Sequence, residues 1–164
     1  MSSFTKEFAD HVSVIVTNCL VFTPDDLSKG VPHAYYHTTN CIWDTGAEIT
    51  VICPEIAEAL GLKEIGTGQI GGIGGEDHEI WVAKVHLGLP SSETVENLEV
   101  YVDDIPDHDM IIGMDVMKEM DIAITNAKGR TKFTYERPST RNLDFTQKHN
   151  SKLLGNTSEE LICP

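Results

Sequence analysis

At residues 41–47 the chain reads Cys41-Ile42-Trp43-Asp44-Thr45-Gly46-Ala47. An acidic residue therefore directly follows an apolar, strand-like run. A carboxylate beside a core is costly unless it is hydrogen-bonded or paired, so Asp44 either caps a turn or serves a functional site. A helix cap would precede a helix, but the chain continues into the strand-like run Ile49-Thr50-Val51-Ile52. Gly46 allows a close approach of the backbone to another chain or to a carboxylate.

The chain outside this run reads mainly as short strands between turns. A short helix is predicted from Pro54 to Leu60, because proline suits a first helical position and Gly61 stops the helix. A second helical turn is predicted near Val116–Met120. The predicted strands are His11–Phe22, Ala34–Trp43, Ile49–Cys53, Glu79–Leu87, Val95–Val102, Met110–Gly113, Ile122–Thr125 and Arg130–Tyr135.

Two regions are expected along the chain. Residues 1–137 are predicted to form one domain, and residues 138–164 a polar C-terminal extension that is partly helical, near Asn142–Leu154, or flexible. Six glycines lie between Gly66 and Gly75. The segment from Gly66 to Gly71 formally matches a GxGxxG phosphate-binding turn, but such a turn opens a helix. Here the glycines continue and lead into a strand, so a hairpin is the better interpretation.

Four segments together resemble the retropepsin-like, or retroviral-type, aspartic proteases over about residues 12–136. The run from Asp44 to Ala47 resembles the active-site loop of that family. The segment Ile70-Gly71-Gly72-Ile73-Gly74-Gly75 is similar to its substrate-covering flap, Ile111-Ile112-Gly113 to the strand that supports the loop, and Met114-Asp115-Val116-Met117 to the start of the following helix. Ile112–Val116 and Asp121–Asn126 make the pattern most similar to small bacterial single-domain members.

The resemblance implies an all-β, closed barrel-like domain with one or two short helices, in a homodimer with its active site at the subunit interface. It implies an aspartic endopeptidase whose catalytic residue is Asp44, with Thr45, Gly46 and Ala47 in the active-site loop. Substrate would lie under a flap formed by Gly71, Gly72, Ile73, Gly74 and Gly75, and Ile111, Ile112 and Gly113 would support the site.

The implied chemistry needs two carboxylates that share one proton, because two facing aspartates cannot both ionise. The ionised one takes a proton from water, and the protonated one polarises the peptide carbonyl. Asp-Thr-Gly occurs once in the sequence, so two chains are required. No cofactor and no metal are expected.

The sequence departs from the retroviral pattern at two positions. Glu48 and Met114 stand where retroviral enzymes carry an aspartate and an arginine that pair near the dimer interface. That ion pair cannot form in the same way here. The N- and C-terminal strands and the C-terminal extension are the candidates for holding the dimer.

Charge and composition restrict the partners. The 164 residues carry a formal net charge of −14, which disfavours nucleic acid and anionic membrane surfaces because both are negatively charged. No apolar run reaches the length of a membrane span, and the N-terminus has no signal-peptide pattern, so a cytoplasmic location is expected. The expected partners are a second copy of the chain and a peptide or protein substrate.

Other interpretations remain open. A catalytically silent dimeric module that binds peptides or proteins would keep the same fold. The cysteines, which form no CxxC pair, are expected to be buried thiols. His33 and His37 have a spacing that suits a metal only on a helix, and the acidic residues of segment 103–109 do not match a calcium loop. Surface side chains are the simpler interpretation of both groups.

Overall fold

The computed structural model describes residues 1–24, 34–71 and 78–141. Within those ranges the chain forms ten strands and two short helices. In chain order the elements are β1 (Ser2–Glu7), β2 (Val16–Phe22), β3 (Tyr35–Trp43), β4 (Val51–Ile52), α1 (Pro54–Leu60), β5 (Gly66–Ile70), β6 (His78–Gly88), β7 (Thr94–Val102), β8 (Met110–Ile112), α2 (Met114–Met117), β9 (Asp121–Ala127) and β10 (Arg130–Arg137).

Six strands close into a barrel. Their order is β2-β3-β8-β4-β7-β6, and a further pairing of β2 with β6 completes the ring, while β5 extends from β6. Two of the neighbouring pairs are parallel, β3 with β8 and β4 with β7. Closure leaves the ring without unpaired strand edges. The prediction of an all-β, barrel-like domain with one or two short helices is confirmed.

The barrel interior is filled by alternate strand residues, as the two-residue period of a strand requires. Helix α1 covers one side of this core with its apolar face and ends at Gly61, whose left-handed φ of 60° suits glycine. The interior side chains without solvent exposure include Val21, Cys41, Ile52, Ile56, Ala83, Val85, Leu87, Val100, Met110 and Ile112. Cys19, Cys41 and Cys53 are buried free thiols, as predicted, and Cys163 lies outside the described residues.

A second, three-stranded sheet of order β1-β10-β9 packs on the barrel through aromatic rings. The Trp43 ring lies 5.0 Å from that of Phe133 and 5.2 Å from that of Tyr135, measured between centroids. The indole N–H of Trp43 donates to Thr17 Oγ1 at 2.9 Å. The residue before Asp44 is therefore fixed by both packing and a buried hydrogen bond.

Changing Thr17 to Val tests that bond. Thr17 is completely buried, so valine leaves the Trp43 indole N–H without its acceptor, and the free energy of unfolding should fall by about 1–3 kcal/mol. Thr39→Val, at an exposed position of β3, should change it by less than about 0.5 kcal/mol. Equal effects in urea denaturation would contradict the assigned role of the bond.

Several predicted boundaries differ from the structure. Strand β2 begins at Val16 rather than His11, because the Val12 N–H bonds to the Thr131 side chain of β10 while the chain crosses from the small sheet to the barrel. Strand β1 was not predicted, although its residues alternate between half-buried and exposed. Helix α2 covers Met114–Met117, so it begins where the family resemblance implied and two residues before the start of the helical turn predicted at Val116–Met120. The helix predicted near Asn142–Leu154 lies outside the described residues.

The segment after β10 is attached to the start of β9 through Asp121. Ser139 Oγ donates to Asp121 Oδ1 at 2.7 Å, and the N–H groups of Thr140 and Arg141 each donate to Oδ2 at 2.7 Å. The Ser139 hydrogen bond, with those of the two backbone amides, lowers the pKa of Asp121. An ionised Asp121 carboxylate therefore favours these three hydrogen bonds, while the Ser139 N–H also donates to the Glu119 carbonyl at 2.8 Å and Arg141 pairs with Glu136 at 2.9 Å.

Acidification should weaken the three hydrogen bonds that Asp121 accepts. Because the folded pKa of Asp121 lies below its unfolded value, its stabilising contribution is present above the unfolded pKa and is lost as the pH falls through the folded pKa. Protection factors of the Thr140 and Arg141 amides in hydrogen exchange should fall over that range. Asp121→Ala, which removes both acceptor oxygens, should show low protection already at neutral pH, whereas Asp10→Ala, an exposed control, should match the wild type. Unchanged protection in Asp121→Ala would contradict this prediction.

Among the residues that the structure describes, no helix is both long enough and apolar enough to span a bilayer.

Candidate active site

Asp44 lies one residue beyond the end of β3, where that strand runs parallel to β8. The last registered pair is Trp43 with Ile112, and the Asp44 N–H continues the ladder by donating to the Ile112 carbonyl at 3.1 Å. The backbone of Asp44 is thus hydrogen-bonded to β8, which lies between β3 and β4 in the barrel wall. The geometry follows from two apolar runs, 41–43 and 110–112, that are widely separated in sequence.

The residues after Asp44 form a tight turn around its carboxylate. The Gly46 N–H donates to Asp44 Oδ1 at 2.8 Å, and the Ala47 N–H donates to the Asp44 carbonyl at 3.2 Å. Asp44, Thr45 and Gly46 are exposed, and Ala47 is half-buried. Asp44 therefore does bond to its own turn, as one interpretation of the sequence allowed, but its carboxylate lies at the surface, where a second molecule can reach it.

Gly113 lets the loop that carries Asp44 sit directly on the end of β8. A Cβ at Gly113 would lie 2.7 Å from the Ile49 carbonyl carbon, 2.8 Å from the Ile49 oxygen and 3.0 Å from the Ala47 oxygen. All three contacts are with backbone atoms, which cannot be relieved by rotation of a side chain. Of its predicted companions, Ile112 is buried and Ile111 half-buried. The structure thus brings 111–113 together with the Asp44 loop.

Glu48 and Met114 are joined to their surroundings through backbone rather than through an ion pair. The Met114 N–H donates to the Ala47 carbonyl at 2.8 Å, and the Asp115 N–H donates to the Glu48 carbonyl at 3.1 Å. Both side chains are exposed. The backbone bonds hold the loop against α2 without the retroviral-type charge pair.

Sequence reasoning missed two polar residues beside the loop, Thr50 and Asp115. The Asp115 carboxylate accepts hydrogen bonds from the Thr50 N–H at 3.0 Å and from Thr50 Oγ1 at 2.8 Å. The Gly113 N–H in turn donates to Thr50 Oγ1 at 3.2 Å. The available signals were a threonine inside the apolar run 49–52 and an acidic residue at the start of a helix.

The predicted flap is described only at its base. β5 and β6 pair antiparallel as far as Ile70 with His78, so this segment forms the two arms of a hairpin and not a helix-opening phosphate turn. Gly71 is exposed, whereas Gly72, Ile73, Gly74 and Gly75 lie outside the described residues. A Cβ at Gly68 would lie 2.5 Å from the Tyr101 ring, so the arms rest closely on β7.

The polar side chains that the sequence offered as metal ligands do not form a cluster in the described ranges, and some of them are hydrogen-bonded to other side chains. Asp109 Oδ2 accepts from Thr38 Oγ1 at 2.6 Å, and His78 Nε2 lies 3.1 Å from Asp103 Oδ2. His37 is exposed on β3, and His33 lies outside the described residues. In the described ranges, no group of three or more His, Cys, Asp or Glu side chains could hold a metal ion.

Comparison with known proteins gives one family match. The family model described as aspartyl protease matches residues 36–116, a range that includes the Asp44 loop, the β5–β6 arms and 111–113. No curated protein matches the sequence.

Two solved structures are among those to which the chain is similar. EIAV protease complexed with the inhibitor HBY-793 shares 22% identity, with coverage of 65% of this chain and 86% of that chain and a TM-score of 0.43. A retropepsin-like aspartic protease from Rickettsia conorii shares 13% identity, with coverage of 84% and 97% and a TM-score of 0.47.

Proposed function

Because the chain belongs to the aspartyl protease family, with a retropepsin-like fold, we propose that it is an aspartic endopeptidase that works as a homodimer. In this proposal a water molecule is activated by two Asp44 carboxylates, one from each subunit.

The exposed Asp44 carboxylate is the observation that carries this proposal. Within the described part of the chain, its one recorded side-chain hydrogen bond is the one from the Gly46 N–H to Oδ1. In the proposed dimer this exposed carboxylate, whose second oxygen has no protein partner among the described residues, would be half of an acid–base pair. Since Asp-Thr-Gly occurs once per chain, the other half must come from a second copy, arranged about a two-fold axis.

Each residue of the loop has a role in the proposed reaction. With one proton shared by the two carboxylates, the ionised Asp44 acts as general base towards water and the protonated one donates to the peptide carbonyl. When the resulting tetrahedral intermediate collapses, the C–N bond breaks as the nitrogen takes the proton that the first Asp44 removed from water, and the second Asp44 takes a proton back from the intermediate's hydroxyl. The exposed Thr45 would bond across the dimer through its hydroxyl, by analogy with the family.

A peptide would bind in extended form between the loop and the β5–β6 hairpin. Gly46 and Ala47 would line its floor, and the residues 71–75 would cover it. Strand-like main-chain hydrogen bonds supply affinity in such a site, and pockets for alternate side chains supply specificity. The glycines of the proposed flap would permit opening and closing, which gates substrate rather than performing chemistry.

The proposal is tested by incubating the purified chain with a diverse peptide mixture across a range of pH and identifying products by mass spectrometry. Cleavage at internal peptide bonds is expected. Specific activity should rise with protein concentration until the dimer saturates, because one chain holds one carboxylate. Peptide binding without cleavage at any pH would instead support a silent binding module, and activity at concentrations where sedimentation shows only monomer would exclude the two-chain site.

A further inference from the structure

We infer that Asp115 and Thr50 act together as a positioning pair, which we call the Asp115–Thr50 clamp, and that this clamp sets the catalytic geometry of Asp44. Neither residue touches the reacting atoms. The inference rests on the proposed function, since it assigns a role in that reaction. With Glu48 and Met114 at the positions of the retroviral-type ion pair, the clamp adds side-chain hydrogen bonds to the backbone contacts that hold the loop.

The clamp is a fully engaged set of donors and acceptors. Asp115 Oδ1 accepts from Thr50 Oγ1 at 2.8 Å and from the Val116 N–H at 3.0 Å, while Oδ2 accepts from the Thr50 N–H at 3.0 Å. Thr50 Oγ1 also accepts from the Gly113 N–H at 3.2 Å. Hydrogen bonds to an ionised acceptor are stronger and more directional than neutral ones, so this arrangement specifies one geometry.

The clamp lies at the far end of the segment that begins with Asp44. At the near end, the Asp44 N–H bonds to the Ile112 carbonyl. At the far end, Thr50 bonds to Asp115, three residues beyond Ile112. Residues 44–50 are therefore held at both ends by the single short segment 112–115. Any shift of Thr50 relative to Asp115 changes the path of the loop between those two anchors.

The hydrogen bonds of the clamp cannot be replaced by water where their groups are buried. Thr50 is completely buried, with 0% exposure, and the Gly113 N–H that it accepts is buried as well. Removing the Thr50 hydroxyl leaves that amide without an acceptor and takes one donor from the Asp115 carboxylate. Unsatisfied buried groups are costly, so we expect the loop to shift to a position in which these groups form other hydrogen bonds.

The decisive comparison is between Thr50→Val and Thr50→Ser. Valine keeps the shape of threonine without the hydroxyl, whereas serine keeps the hydroxyl without the methyl group. We expect kcat to fall by about 10- to 100-fold in Thr50→Val, since small misplacements of catalytic groups have effects of that order, with a smaller change in KM. Thr50→Ser should recover most of the lost kcat.

Rescue by serine separates positioning from packing. Serine loses packing volume in a completely buried position, so a merely structural role would leave Thr50→Ser no better than Thr50→Val. That result, or a kcat of Thr50→Val within about twofold of wild type, would overturn the inference. Thermal unfolding and sedimentation of both variants establish that each is folded and equally dimeric under the assay conditions.

A second readout needs no activity. Hydrogen exchange at the Gly113 amide should be faster in Thr50→Val than in wild type, and near wild type in Thr50→Ser. Equal exchange in all three would reject the clamp itself. A wild-type chain that cleaves no peptide would reject the proposed function, and the exchange comparison would still decide whether Thr50 and Asp115 hold the loop.

Discussion

Asp44→Asn is expected to abolish peptide cleavage, with a loss of about 10⁴-fold or more, the upper range for general acid–base groups. Asparagine has nearly the same shape as aspartate and can still accept the Gly46 N–H bond that orders the turn. It can neither take a proton from water nor share one with a facing carboxylate. The fold and the dimer should therefore remain, as measured by thermal unfolding and by sedimentation, while kcat disappears.

Mixed dimers make this test specific to a two-chain site. When wild type and Asp44→Asn are mixed in equal amounts and allowed to exchange subunits, about a quarter of the dimers carry two carboxylates. The activity per dimer should fall to about that fraction, rather than to half. Asp104→Asn, which removes an equal charge at an exposed position, should leave activity unchanged. A linear loss on mixing would show that each chain acts alone.

Gly113→Ala is expected to lower kcat by about 10²-fold, because it moves the loop that carries Asp44. The added methyl group would meet the Ile49 carbonyl carbon at 2.7 Å, closer than nonbonded carbon atoms approach each other. The three nearest atoms are all backbone atoms of Ala47 and Ile49, so the loop 47–49 must shift away from the end of β8. Overpacking of this kind also costs about 1–3 kcal/mol in the free energy of unfolding.

The matched control is Gly66→Ala in β5. A Cβ at Gly66 has nothing within 4 Å, so the same chemical change there should alter stability by less than about 0.5 kcal/mol and leave kcat near wild type. Activity should be compared at temperatures where both variants are fully folded. Wild-type kcat in Gly113→Ala would mean that Asp44 does not depend on the contact between the loop and β8.

The position of the Asp44 loop and the main strands were predictable because their signals are local. An acidic residue after an apolar run marks Asp44, and the proline and glycine that bound α1 mark its ends within one residue. The start of β2 was predicted wrongly because alternation alone cannot show that Val12 bonds to Thr131, far along the chain.

The supporting hydrogen bonds were not predictable for a related reason. Thr50 and Asp115 are ordinary residues in their own neighbourhoods, and their pairing exists only once β4 and β8 lie side by side in the barrel. Long-range polar pairs carry no periodic signature in a sequence. Gly113 was named through the family resemblance, but its need to be glycine has no local signal, because it arises from the Ile49 backbone rather than from its own φ.

The parallel pairing of β3 with β8 also has a consequence for biosynthesis. Asp44 takes its anchor from Ile112, and the N-terminal strand pairs at Ser2 with Arg137. Contacts between distant parts of a chain form slowly, because large loops must close first. A chain still emerging from the ribosome has therefore made its aspartate long before it has made the strand that holds it. If Asp44 acts as proposed, its site is consequently incomplete in the nascent chain until residues 110–112 have been synthesised.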